Sequence, residues 1–216
     1  MPLVLASASP RRQELLKDAG VEFVVKPANI PEVPQSGEPP QAFAERMARE
    51  KAQAVFARTN KEEYVLGADT VVTIKNSNRG ATGVSPVHSD LVLGKPESAE
   101  DAARMLRLLS GRQHHVITGV CLIGNNFEDV RSETTAVHFS TLSDAEIRDY
   151  IATGEPMDKA GAYAVQGDTS SLFKRYTDVS VAQAIGTPLA LFSGVCVETV
   201  GGVVSITVVE NTTSTQ

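Results

Sequence analysis

The 216-residue chain has only two cysteines, Cys121 and Cys196, each isolated in apolar sequence. This excludes a disulfide framework and a cysteine-based zinc site, and points to buried thiols in a reducing compartment. The four histidines lack metal-ligand spacing; His114 and His115 are adjacent and would face opposite sides of a strand. Neither a GxxxxGK(S/T) loop nor a GxGxxG turn is present, so the two familiar glycine-rich phosphate cradles are missing. A basic surplus is missing as well: 20 Lys and Arg stand against 26 Asp and Glu, a formal net charge of −6. That balance argues against a general attraction to nucleic acid. No apolar run approaches the ~20 residues that span a bilayer, and the N-terminus lacks a signal peptide's apolar core. A cytoplasmic protein with neither membrane nor nucleic-acid partner is therefore expected.

What is present suffices for one sizeable core, since 42% of the residues are hydrophobic. Residues 2–6 and 21–27 read as strands, and the β-branched stretch YVLGADTVVTIK (64–75) as a buried one. A helix opened by Pro39 and Pro40 carries an apolar stripe through Phe43, Met47, Val55 and Phe56. Ser98 followed by Asp101, and Ser143 followed by Glu146, announce two more helices, with Gly111 and Gly154 as stops. HHVITGVCLIG and VRSETTAVHFST flank the Asn125–Asn126 turn as a hairpin. Strands and helices alternate without strict βαβ repetition, which predicts an α/β fold with a mixed sheet. Residues 1–209 read as a single domain, with a polar loop inserted at about 76–90 and a flexible tail over 210–216.

Four polar clusters stand out against this background. In LASASPRRQELL (5–16), Pro10 suits a first helical position and Ser9 an N-cap. Arg11 and Arg12 would then oppose the positive end of the helix macrodipole. A bound phosphate resolves that conflict, with the hydroxyls of Ser7 and Ser9 at the same point; the alternative is a solvated basic pair. Asp69 interrupts an apolar strand, where an uncompensated carboxylate is costly, although a strand-end acid also serves to cap a turn or pair with an arginine. Alone, Asp69 is too acidic to draw a proton from water efficiently, a difficulty that a water-acidifying divalent cation removes. Glu32 would help hold such an ion, though by itself it reads as a solvated surface residue. Lys95, between Gly94 and Pro96, suits a fixed phosphate contact. Lys51 lies in a charged helical run with Glu45, Arg46, Arg49 and Glu50, which reads as a solvated face. These clusters point to metal-assisted phosphate chemistry.

Taken in order, LASASPRRQELL, REKA, GADTVV, LGKP, LSG, TGV and GEPMDKAGAYAVQG resemble the Maf family of nucleotide pyrophosphatases over about residues 3–167. A weaker echo follows in GTPLAL. The resemblance implies hydrolysis of nucleoside triphosphates to monophosphate and pyrophosphate, with Mg²⁺ or Mn²⁺, in a cytoplasmic homodimer. It also implies an elongated two-lobed α/β fold with a central cleft, like that of inosine triphosphate pyrophosphatases. Carried over by position, Asp69 matches the family's proton acceptor. Arg12 and Lys95 match catalytic phosphate contacts, and Ser7, Ser9, Glu32 and Lys51 fall in the cleft lining. Arg11, Thr70 and Gln166 match the branch active on dTTP and UTP; the branch active on 7-methyl-GTP has Trp, Gln and Glu there. A glutamine amide offers both a donor and an acceptor to a uracil edge. The expected function is a dTTP and UTP pyrophosphatase with a house-cleaning role against non-standard nucleotides. The alternatives are the same fold acting on 7-methyl-GTP or another modified nucleotide, or a non-catalytic nucleotide-binding regulator of cell division. Two departures from the family pattern are the insertion at 76–90 and the stretch RYTDVSVAQAIGTPLAL, where Gly-Ser-Tyr leading to VVGLPL is expected.

Overall fold

A computed structural model describes residues 3–60, 62–75 and 90–163, together with the backbone of 195–200 and 203–208. Gln166, the GTPLAL echo, the inserted segment up to residue 89 and the 210–216 tail lie outside the described residues.

The chain begins with β1 (Leu3–Leu5), α1 (Pro10–Asp18), β2 (Phe23–Val25) and α2 (Pro40–Phe56). It continues through β3 (Tyr64–Lys75), β4 (Asp90–Leu93), α3 (Ala99–Leu109), β5 (Gln113–Gly124) and β6 (Phe127–His138). Helix α4 (Asp144–Ala152), 3-10 turns at Glu155–Asp158 and Ala160–Ala162, and the pair β7 (Val195–Val200) and β8 (Val203–Val208) follow. Six strands form one sheet in the order β2-β1-β3-β5-β6, with β4 also on β3; β7 and β8 form a separate antiparallel sheet. Strand β1 runs parallel to β2 and β3, pairing Val4 with Val24 and with Val65, whereas β4 runs antiparallel to β3. The sheet is mixed and the class is α/β, as expected.

Local chemistry explains the boundaries. The Ser98 side chain accepts the Asp101 N–H, and Ser143 and Glu146 complete a reciprocal capping box. Gly111 and Gly154 adopt left-handed φ values of 66° and 75°, which end α3 and α4 without a Cβ penalty. Strand β2 is shorter than its alternating sequence suggests: Lys26 still donates its N–H to the Leu5 carbonyl, but Pro27 has no N–H to continue. The β7–β8 hairpin was not anticipated from sequence. No helix among the described residues is long and apolar enough to cross a membrane.

The chain divides into two compact units. The first comprises residues 1–69, 118–133 and 185–216; the second comprises 70–117 and 134–184. In the first, alternate residues of β1 and β3 are buried on opposite faces of the sheet. Val4, Ala6 and Val65 join Ala48, Ala52 and Val55 of α2, with Cys121 and Ile123 of β5. Leu5, Leu66 and Ala68 join Leu16 of α1 and Val120. Burial on both faces accounts for the near-continuous apolar run of β3. Burial also pushes the Cys121 thiol up to about 12, as suits an inert core thiol. In the second unit His114 is fully buried, edge-on to the rings of Phe139 and Tyr163. Its Nε2 lies 2.7 Å from the Tyr163 hydroxyl.

Candidate active site

Strand β1 ends at Leu5, and the chain turns through Ala6–Ser9 into α1. Ser9 occupies the N-cap position, but its side chain makes no capping hydrogen bond, and the first turn holds no acidic residue. The organising hydroxyl of the turn is that of Ser7, which is 8% exposed. Its Oγ accepts the Ser9 N–H at 3.3 Å and Arg12 Nη1 at 3.1 Å. Arg12 Nη1 also donates to the Ala68 carbonyl at 2.9 Å, tying the start of α1 to β3. The solvated-pair alternative is thereby overturned for Arg12, which is half-buried and anchored. Burial lowers its pKa, while the negative charges of Asp69 and Glu32 act in the opposite direction.

Lys51 contradicts its reading as part of a solvated face: it is 7% exposed. The buried face of α2 runs through Ala44, Ala48, Lys51, Ala52 and Val55, so Lys51 falls on the apolar stripe despite its charged sequence neighbours. Its ammonium Nζ lies 2.5 Å from Asp69 Oδ1 and 2.6 Å from Glu32 Oε1. Glu32, whose side chain is 41% exposed, is thus a bound partner at the site and not merely a solvated acid.

The close approach of α2 to the sheet makes these contacts reachable. Val65, Gly67 and Asp69 share one face of β3. A Cβ on Gly67 would lie 2.2 Å from the Ala48 carbonyl oxygen and 2.7 Å from the Ala52 nitrogen. A Cβ on Gly119 of β5 would lie 2.4 Å from the Ala44 carbonyl oxygen. The alanine spacing 44–48–52 therefore rests directly on two glycines of adjacent strands. Sequence reading missed both glycines; an isolated glycine within a strand pattern is the signal that points to such an approach.

Asp69 is 6% exposed. Burial raises its pKa above the ordinary aspartate value, and Glu32 pushes the same way; Lys51, by charge and hydrogen bond, and Arg12 pull it back. The result is a buried carboxylate, held by one shared ammonium, that is more basic than a surface aspartate. Among the described residues no three His, Cys, Asp or Glu side chains converge as a metal cluster. Glu32 and Asp69 are the two carboxylates here that could hold a hard cation, and each already contacts the Lys51 ammonium.

Ser7, Arg12, Glu32, Lys51 and Asp69 are thus brought together within the first unit. Arg11 is half-buried in the first turn of α1. Thr70 and Lys95 belong to the second unit; Lys95 is exposed, beside a Gly94 carbonyl that accepts the Gly161 N–H at 2.9 Å. Their assignment rests on the resemblance, as does that of Gln166.

Comparison with known proteins adds the following. A family model described as Maf-like protein matches residues 2–198. A "dTTP/UTP pyrophosphatase" of Koribacter versatilis is 49% identical over 193 residues, 88% of this chain and 90% of that protein. One from Anaeromyxobacter sp. is 47% identical over 193 residues, covering 87% and 84%. Among solved structures, the Staphylococcus aureus Ham1 protein aligns with a TM-score of 0.44 at 15% identity, covering 85% of this chain and 97% of that one.

Proposed function

This chain belongs to the Maf family, and from that premise we propose that it hydrolyses dTTP and UTP to the monophosphate and pyrophosphate. The observation that carries the reading is the buried Asp69, joined through Lys51 to Glu32 and set beside the Arg12–Ser7 anchor. Arg12 and Lys51 meet the charge of the triphosphate. Asp69 orients a water and accepts its proton as the oxygen bonds to the α-phosphorus; the α–β anhydride bond breaks and pyrophosphate leaves. Its raised pKa makes it a stronger base than an ordinary aspartate wherever it is ionised. Charge neutralisation and positioning supply most of the rate, as phosphoryl-type transfers require. Glu32 and Asp69 would hold Mg²⁺ or Mn²⁺, which supplies further positive charge and lowers the pKa of water. The pyrimidine preference is supported by Arg11, Thr70 and Gln166 and by the names of the relatives.

The test compares dTTP, UTP, CTP and 7-methyl-GTP with Mg²⁺ and with Mn²⁺, following pyrophosphate release. Pyrophosphate from dTTP and UTP with the highest kcat/KM is the expected result; nucleotide binding without pyrophosphate overturns it. Asp69→Asn should keep nucleotide affinity and lose turnover by at least ~10²-fold, the low end for loss of a general base.

A further inference from the structure

Glu32 reaches Lys51 from a segment with no regular structure, between β2 and α2. An exposed loop carboxylate needs something to hold its backbone in place. The structure assigns that task to Arg46, and we propose that Arg46 is a positioning residue for Glu32. Its guanidinium grips Glu38 with two bonds, Nε to Oε1 at 2.6 Å and Nη2 to Oε2 at 2.7 Å. Nη2 also donates to the carbonyl of Val33, the residue after Glu32, at 3.0 Å. Glu38 Oε2 in turn accepts the Gln35 N–H at 3.0 Å, and Arg46 Nη1 reaches Glu50 at 3.0 Å.

One side chain of α2 thus holds the loop at Val33 directly and at Gln35 through Glu38. Lys51, the group that Glu32 meets, lies on the same helix. The Arg46 and Glu38 side chains are only 20% and 9% exposed, and the fork geometry is specific to arginine. The hydrogen bonds to Arg46 hold the Glu38 carboxyl below its usual range, so the clamp stays charged through neutral pH. Lysine at this position would keep the charge but not the simultaneous hold on a carboxylate and a backbone carbonyl.

The inference rests on Glu32 serving the site as proposed, and its test separates the two. Hydrogen exchange of the Gln35 amide, which donates to Glu38, reads the clamp itself, and Mn²⁺ titration by the paramagnetic signal of free Mn²⁺ reads its consequence. Arg46→Lys should accelerate exchange at the Gln35 amide by about 10-fold or more and weaken Mn²⁺ binding about 10-fold, the low end for loss of an outer partner. The double variant with Glu32→Gln should bind Mn²⁺ no more weakly than Glu32→Gln alone. Glu38→Gln, which keeps a neutral acceptor, should show a smaller effect in the same direction. Unchanged exchange in Arg46→Lys, or additive losses in the double variant, overturns the positioning role. If Glu32→Gln binds Mn²⁺ as the parent does, the metal reading fails, while the exchange rates still decide the clamp.

Discussion

Removing the Lys51 ammonium leaves Asp69 buried beside Glu32, with Arg12 as the remaining cation acting on it. Burial already raises Asp69, so the acid limb of kcat/KM should lie above about 3.9, the ordinary aspartate value. Lys51 lowers that pKa, so Lys51→Met should move the limb to still higher pH and reduce turnover at neutral pH. A pH profile of kcat/KM for both proteins checks this; coincident acid limbs would deny Lys51 its influence on Asp69. A raised folded-state pKa also means that the native chain binds more protons than the unfolded one between the two values. The contribution of Asp69 to stability therefore falls as pH rises through that window. Asp69 was legible in sequence because an acid in an apolar strand is conspicuous. Lys51 was legible only through the family resemblance, because a lysine among Arg49, Glu50 and Glu45 looks solvated until the helix face is known.

At the scale of elements, the seam between α2 and the sheet sets the distance that Lys51 must span. Gly67→Ala would place a Cβ 2.2 Å from a backbone oxygen, which no side-chain rotation relieves. Overpacking of this kind costs about 1–3 kcal/mol. Thermal melts should show that loss in both Gly67→Ala and Gly119→Ala. Turnover should fall further in Gly67→Ala, because Gly67 shares the strand face of Asp69. Equal turnover in the two variants would detach the seam from the site. Element identity was largely readable, since caps such as Ser143 with Glu146 and stops such as Gly111 act locally. The seam was not: Gly67 and Gly119 acquire meaning only when Ala48 and Ala44 lie over them, which pattern along one strand does not reveal. The Arg46–Glu38 grip likewise joins a helix to a loop whose conformation has no periodic signature.

For the molecule as a whole, stability should be acid-sensitive through His114. Burial pushes its pKa down to about 4, so the unfolded chain binds a proton that the native chain refuses between about 6.5 and 4. The His114 contribution is intact above about 6.5 and is lost progressively as pH falls toward 4, by roughly 3 kcal/mol in all. Melting curves across this range should fall less steeply for His114→Asn than for the parent; parallel curves would refute the assignment. The insertion offers a second whole-chain test, because Lys75 and Asp90, on either side of it, are direct register partners. Replacing residues 76–89 by Asn-Gly, which suits a two-residue hairpin, should preserve both the melting temperature and pyrophosphate release. Loss of turnover alone would give the segment a part in catalysis. The glycine–alanine seam bears on any attempt to redesign the chain. With backbone lying against backbone, the spacing of helix and sheet has no shorter setting, and the arm that α2 extends toward Asp69 behaves as a ruler of fixed length. A change of substrate preference would then have to come from side chains such as those at positions 11 and 70, with the packing of helix on sheet left as it is.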